Sequence, residues 1–412
     1  MKQKLLSIFG RLSLILLGLG VGFIVLEMGF RILYPDPSPK LANQGLQFDE
    51  RYGLAFKPGA EGWNTSLRGE YSVYVKINQR GLRDRDYGYT KRAGVFRILV
   101  LGDSFTAGLQ VSEAETFPKR LEAQLNQRYP QTKFEVINAG VVGYGTHNQL
   151  AYYLHEGYKY QADLVLLAFF TGNDLTDNIW YSLYRLEEGE LVSVPATKRE
   201  DSSSSNSSQA DSFFKKVRSF LYAHSRLYSV SIELLTFSAI QRAPGLAQLL
   251  VSLGFVEITQ PLVNYGNLYV FRHLPDEAWA TSQALLLRLN QEIEAHGSQL
   301  LVVILPDETD VDEARRQDIL KRYGHLTKAK TVQAPPPTER LAQILQQAGI
   351  AYLSLLPALQ RGHQAAQMPL YFRYDGHWTP AGHQIAGQAI FEYLIENGDR
   401  WANFPGLAAS QK

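Results

Sequence analysis

A short, mostly apolar segment recurs along the chain, with helical patterns between most copies, and this repetition restricts the possible folds. These segments span residues 98–101, 134–137, 164–170, 300–305 and 350–355. Continuous apolar runs of this length are typical of strands buried on both faces of a parallel sheet. Strands that alternate with helices predict an α/β fold, in which a parallel sheet is covered by helices on both sides.

Polar residues follow the predicted strands at the sheet edge where open α/β proteins bind ligands. Ser104 follows the first strand, Gly143 the second and Asn173 the third, while Asp375 and His377 precede the last predicted helix. Ser104 is the candidate nucleophile, His377 the candidate base and Asp375 the group that orients the imidazole. The N–H groups of Ser104 and Gly143 and the amide of Asn173 are candidate donors to an oxyanion. The simpler interpretation is that a serine after Gly-Asp only closes a turn.

The loops resemble the conserved blocks of the SGNH (GDSL-type) hydrolase superfamily. Gly-Asp-Ser-Phe at 102–105 matches the first block, 138–143 the second and 172–174 the third. The last block, Asp-Gly-His-Trp at 375–378, departs from the commonest Asp-x-x-His-Pro form and resembles the Asp-x-His-Trp variant of bacterial polysaccharide O-acetyltransferases. The resemblance covers residues 97–396. It implies a flavodoxin-like three-layer sandwich with strand order 2-1-3-4-5, and the same roles for the five residues named above.

An apolar stretch at residues 13–34 predicts a transmembrane signal anchor. Lys2, Lys4 and Arg11 precede it, whereas Glu27 and Arg31 interrupt its far end. About 20 apolar residues are enough to cross a bilayer, and the basic flank places residues 1–12 in the cytoplasm. A cleaved signal peptide and a buried core helix are the alternatives. The absence of a small-x-small cleavage motif after the apolar run favours the anchor.

The remaining chain divides by composition and pattern. Residues 35–94 form an N-terminal extension with a hairpin, residues 95–400 the hydrolase domain and residues 401–412 a tail. Residues 176–276 interrupt the strand–helix rhythm and are interpreted as an insertion over the site. Within it, the serine-rich run 201–208 is predicted to be a linker.

Five other polar residues near these loops are given structural roles. Asp103 and Asp174 are predicted to fasten their loops by hydrogen bonds. Arg83 and Asp84 are predicted to form a solvated ion pair, with a contact to the site as the alternative, and His383 is predicted to pack beside the last helix.

The amino-acid composition excludes several kinds of partner and site. The 41 basic and 40 acidic residues nearly cancel, which argues against nucleic acid as a partner, and the lack of cysteine excludes disulfides, thiolate metal sites and a cysteine nucleophile. No residue cluster implies a metal or an organic cofactor. We therefore expect a membrane-anchored serine esterase, with its catalytic domain periplasmic or extracellular, that acts on O-acyl (O-acetyl in particular) esters of an envelope carbohydrate or lipid. An O-acyltransferase acting on a cell-surface polysaccharide and a catalytically inert envelope binding module are the alternatives.

Overall fold

The structure is a computed structural model that describes residues 2–33, 45–66, 69–180, 182–194, 221, 224–231, 274–323, 336–365 and 368–405. Its contacts divide the chain into two compact units. One comprises Met1–Ser38 and Glu200–Thr259, and the other comprises Pro39–Arg199 and Gln260–Lys412.

The first unit contains the long N-terminal helix α1 (Lys2–Leu33). The segment Phe9–Leu33 of this helix is long and apolar enough to cross a membrane, which fits either a membrane anchor or a signal sequence. The Glu27 carboxylate accepts hydrogen bonds from the Ser225 hydroxyl at 2.8 Å and from the backbone N–H groups of Arg226 and Leu227 at 2.8 and 2.9 Å. Arg31 forms an ion pair with Glu27 and donates to the carbonyl of His224. The charges that interrupt the apolar stretch therefore bind a segment distant in sequence.

All described strands lie in the second unit. In chain order the strands are β1 (Leu46–Asp49), β2 (Gly53–Phe56), β3 (Glu61–Thr65), β4 (Ser72–Lys76), β5 (Val95–Gly102), β6 (Lys133–Gly140), β7 (Leu164–Phe170), β8 (Tyr184–Glu187), β9 (Glu190–Ser193), β10 (Gln299–Leu305) and β11 (Ala351–Ser354). Five of them, β5, β6, β7, β10 and β11, form the central sheet.

The strands of the central sheet are parallel and lie in the order β11-β10-β7-β5-β6. Numbered by their own order in the chain, they read 2-1-3-4-5 across the sheet. The other strands pair as the antiparallel hairpins β1–β2, β3–β4 and β8–β9. The predicted fold class is therefore confirmed.

The described helices of the second unit connect the strands or extend from their ends. They are α2 (Ser104–Ala107), α3 (Phe117–Arg128), α4 (Thr146–His155), α5 (Asp174–Trp180), α6 (Asp276–Ala295), α7 (Glu308–Val311), α8 (Glu313–Tyr323), α9 (Pro337–Gln347), α10 (Leu356–Ala365) and α11 (Pro380–Glu396).

Two hydrophobic cores lie on the two faces of the sheet, because successive side chains of a strand point to opposite sides. On β5, Leu99 and Leu101 belong to the core that includes residues of α4, α6 and α9. Ile98 and Val100 belong to the other core, which includes residues of α3, α10 and α11. This alternation produces a three-layer sandwich.

The predicted solvated ion pair between Arg83 and Asp84 is wrong. Both residues are buried, and each binds a different part of the fold. Arg83 donates to the carbonyls of Ala107 and Val111 at 2.8 and 2.5 Å, whereas Asp84 pairs with Lys119 at 2.7 Å. The two side chains thus tie the N-terminal extension to the sheet domain.

The region predicted as an insertion is described only in part. It contains most of α5 and the hairpin β8–β9, neither of which was predicted from the pattern. The serine-rich run 201–208 lies outside the described residues, and the domain boundaries stay a prediction.

Candidate active site

Three neighbouring strands place three of the predicted site residues at one edge of the sheet. Ser104 is the first residue of α2, directly after β5. Gly143 follows β6 and Asn173 follows β7, the two strands that flank β5. The carboxyl ends of these strands therefore converge as the sequence predicts.

The short helix α2 lies against the strand ends so closely that two positions accept only glycine. A Cβ atom at Gly140 would lie 2.5 Å from the backbone nitrogen of Ala107, and one at Gly102 would clash with the Thr106 hydroxyl. Asp103 begins the helix, since its carboxylate accepts the N–H of Phe105 at 2.8 Å. This hydrogen bond agrees with the loop-fastening role predicted for Asp103, and it helps to hold the backbone of Ser104.

Ser104, His377 and Asp375 form a continuous hydrogen-bonded chain. The Nε2 atom of His377 lies 2.8 Å from the Oγ of Ser104, although 273 positions separate the two residues. On the other side of the ring, Nδ1 lies 2.5 Å from Oδ1 of Asp375. Ser104 and His377 are both buried. In this geometry an imidazole can take the proton of the hydroxyl while the carboxylate holds its other nitrogen.

The electrostatic environment favours the ionised form of Asp375. Burial of the carboxyl opposes this, but attraction to His377 and hydrogen bonds from His377 and Tyr71 outweigh it and lower the pKa of Asp375 below its ordinary value. An ionised carboxylate is an acceptor only, so Asp375 selects the tautomer of His377 that carries hydrogen on Nδ1.

Aromatic packing holds the imidazole in place. The Phe105 ring lies 4.9 Å from the His377 ring and 5.2 Å from that of Trp378, centroid to centroid. Trp378 is fully buried and packs edge-on against Phe117 and the buried His383. His383 lies on α11 itself and has the packing role predicted for it, and its Nδ1 accepts the N–H of Phe117 at 3.3 Å.

The two other predicted oxyanion donors lie on the loops beside Ser104. Gly143 is exposed and has a φ of +78°, a backbone conformation that favours glycine. The side-chain oxygen of Asn173 is buried and has no hydrogen-bond partner among the described residues. The role of both residues in binding an oxyanion stays a prediction.

Two buried carboxyl groups, Asp103 and Asp174, and the partly buried Asp177 surround the start of α2 and α5. Burial raises the pKa of Asp103 to about 6 and that of Asp177 to about 7. Burial and repulsion by Asp103 raise the pKa of Asp174 well above its ordinary value, and Asp174 accepts the N–H of Phe170 at 3.2 Å. Within the part of the chain that the structure describes, no group of three or more histidine or carboxylate side chains is arranged to hold a metal ion.

Sequence reasoning missed Glu70 and Tyr71, which contact the loop of Asp375. The Tyr71 hydroxyl donates to Asp375 Oδ2 at 2.7 Å, and Glu70 accepts the backbone N–H groups of Tyr374 and Asp375. The only local signal was the strand-like alternation of residues 71–77, which says nothing about a partner 304 positions away.

Two protein-family models match the chain. The GDSL-like lipase/acylhydrolase family model matches residues 100–329. A model described as an SGNH hydrolase-like domain of the acetyltransferase AlgX matches residues 270–404. No curated protein matches the chain.

Three esterases or hydrolases are among the solved structures to which the chain is similar. The acetylxylan esterase Axe2 from Geobacillus stearothermophilus is 13% identical, with 72% of this chain and 93% of that chain covered and a TM-score of 0.35. LAE5, an α/β hydrolase enzyme from the metagenome of Lake Arreo, is 13% identical, with 74% and 96% covered and a TM-score of 0.36. A two-domain esterase (CEX) active on acetylated mannans is 10% identical, with 76% and 52% covered and a TM-score of 0.35.

The match to residues 100–329 extends over more than half of the 412-residue chain and includes the Ser104 loop. The resemblance found in the sequence is thereby confirmed. The chain belongs to the GDSL-like lipase/acylhydrolase family, and it is an SGNH/GDSL-type serine esterase or O-acyltransferase.

Proposed function

We propose that this enzyme cleaves O-acyl esters, in particular O-acetyl esters of an envelope carbohydrate or lipid, through an acyl-serine intermediate. The observation that carries the proposal is the hydrogen-bonded chain from Ser104 through His377 to Asp375. A serine hydroxyl is a weak nucleophile unless an adjacent base removes its proton, and this arrangement supplies the base and the group that orients it.

The mechanism follows from the positions of these groups. Ser104 Oγ attacks the ester carbonyl while His377 Nε2 takes its proton, and the carbonyl oxygen becomes an oxyanion held by the N–H groups of Ser104 and Gly143 and the amide of Asn173. When the tetrahedral adduct collapses, the bond to the alcohol oxygen breaks and His377 protonates the leaving alcohol. Water then attacks the acyl-Ser104 ester, gives its proton to His377, and releases the acid as Ser104 regains its hydrogen.

O-acyl transfer is the second candidate, and the match to the AlgX family model favours it. That match includes the Asp375-Gly-His377-Trp378 block. In the transfer reaction a sugar hydroxyl, in place of water, attacks the acyl-Ser104 ester. Both reactions share the acyl-serine intermediate, so the residues of the site serve either one.

We also propose that α1 is a retained anchor and that the catalytic domain lies outside the cytoplasm. A cleaved leader has no lasting structural role, whereas Glu27 and Arg31 bind residues 224–227 through four hydrogen bonds. The basic residues before the span orient the N-terminus toward the cytoplasm.

The experiment uses the full-length chain in detergent, with p-nitrophenyl acetate as substrate and a short oligosaccharide as optional acceptor. We expect turnover to fall by roughly 10³-fold or more in Ser104→Ala, because the nucleophile is lost. Ser193→Ala, at an exposed serine that ends β9, is the matched control. A fluorophosphonate probe should label the wild type at Ser104.

The products distinguish the two reactions. Free acetate without acylated sugar would support the esterase, whereas acylated sugar formed at the expense of acetate would identify a transferase. If neither turnover nor labelling of Ser104 occurs in the wild type, the chain is an inert module and the proposed function is wrong.

A further inference from the structure

The N-terminal extension contacts the loop that carries Asp375 and His377. Tyr71 OH donates to Oδ2 of Asp375 at 2.7 Å. The two oxygens of Glu70 accept the backbone N–H groups of Tyr374 and Asp375 at 3.1 and 3.2 Å. A hairpin that precedes the family-matched region therefore reaches the acid of the site.

The hairpin holds these two residues in place. Thr65 pairs with Ser72 at the end of β3–β4, and the N–H of Ser66 donates to the carbonyl of Tyr71 at 2.9 Å. The side chain of Asn64 donates to the carbonyl of Leu109, in the loop after α2. Because these hydrogen bonds fix the hairpin and attach it to the loop after α2, the Tyr71 hydroxyl is held in one position.

The contacts of Asp375 explain why this position matters. Its Oδ1 receives the His377 ring at 2.5 Å and the His377 N–H at 3.3 Å, while Oδ2 receives Tyr71. The terminal torsion of an aspartate is broad, so one hydrogen bond alone allows the carboxylate to rotate. A donor on each oxygen fixes the plane in which Oδ1 faces the imidazole.

Resting on the function proposed above, we propose that Tyr71 is a positioning residue for the reaction. It acts through Asp375, whose carboxylate it holds in the orientation that His377 requires, and Glu70 supports it by holding the backbone of the same loop. The N-terminal hairpin is then a functional part of the site, in addition to its place in the fold.

The variant Tyr71→Phe removes only the oxygen, because the ring can keep its packing against Phe372 at 5.2 Å. We expect kcat for p-nitrophenyl acetate to fall about tenfold, the order expected for a lost hydrogen bond to a charged group. KM should stay nearly constant, since Tyr71 is assigned no contact with substrate. The labelling rate of Ser104 by the fluorophosphonate should fall with kcat.

The rate per active site separates positioning from a merely structural role. If Asp375 loses its orientation, each folded molecule turns over more slowly, so kcat per site labelled at completion by the fluorophosphonate should fall in Tyr71→Phe. Loss of folded protein alone would reduce the number of labelled sites and Tm without changing kcat per labelled site.

Two comparisons complete the test. Tyr74→Phe on the same hairpin, where Tyr74 packs on Trp63, should behave as the wild type. In an Asp375→Asn background, Tyr71→Phe should have little further effect, because the two residues act as one unit.

An unchanged kcat per labelled site in Tyr71→Phe, or an undiminished effect in the Asp375→Asn background, would overturn the role of Tyr71 while the labelled wild type still supports the proposed function. A wild type that the probe does not label at Ser104 refutes both.

Discussion

Replacing Asp84 by asparagine should be among the most destabilising single changes in the extension. The Asp84 side chain is fully buried, and its carboxylate binds Lys119 Nζ at 2.7 and 2.9 Å. It also accepts the backbone N–H of Asn138 on β6 at 2.8 Å. Because Lys119 lies on α3, one carboxylate joins the extension, a helix and the sheet.

The expected magnitude follows from the charge that the substitution leaves behind. The introduced amide would keep an oxygen acceptor but would place no negative charge beside the buried ammonium of Lys119. Removing one partner of a buried ion pair costs about 3–5 kcal/mol. Glu122 remains 3.2 Å from Lys119 Nζ, so we expect about 3 kcal/mol of unfolding free energy to be lost. At roughly 2–4 °C per kcal/mol, this lowers Tm by about 6–12 °C.

Thermal unfolding followed by circular dichroism measures this loss, with Glu61→Gln as the matched control. Glu61 is half-exposed and lies 3.9 Å from the exposed Lys76, so the same carboxylate-to-amide change should cost less than about 1 kcal/mol. Adding Lys119→Met to Asp84→Asn should restore part of the stability, since the uncompensated charge is then gone. Equal Tm shifts in Asp84→Asn and Glu61→Gln would show that the buried ion pair contributes no more than the exposed one.

Two further changes test the packing around the site. Gly140→Ala places a methyl group 2.5 Å from the nitrogen of Ala107 and displaces α2, so it should reduce p-nitrophenyl acetate turnover at least about tenfold. Gly88→Ala, where the added methyl group has room, should leave turnover unchanged. Equal turnover in the two variants would contradict this prediction. Burial and the nearby positive charge of Arg83 lower the pKa of His383 from 6.5 to about 3. The unfolded chain therefore binds a proton that the folded chain does not, and this contribution to stability is complete above pH 6.5 and decreases as pH falls toward 3. Between about pH 7 and 5 the wild type should lose about 2 kcal/mol more unfolding free energy than His383→Asn, measured by urea titration, and parallel losses would exclude the assignment.

Local sequence pattern was enough to predict the strands of the central sheet and to identify the candidate residues in the loops. The run 164–170 is apolar throughout because both faces of β7 are buried, and its predicted bounds are those observed. Thr379 and Pro380 begin α11 as their types predict, with the Thr379 hydroxyl accepting the N–H of Gly382. These features depend on residues that are close together in the sequence, so the sequence alone is enough to predict them.

Which distant groups meet depends on tertiary packing. Arg83 and Asp84 look like a surface pair when only their neighbours are considered, yet both are buried and each has another partner, the Ala107 carbonyl for Arg83 and Lys119 for Asp84. Tyr71 likewise contacts Asp375 only because the path of the backbone brings the hairpin to the sheet edge. Local pattern encodes strand, helix and turn, whereas a hydrogen bond between residues 304 positions apart depends on how those elements pack.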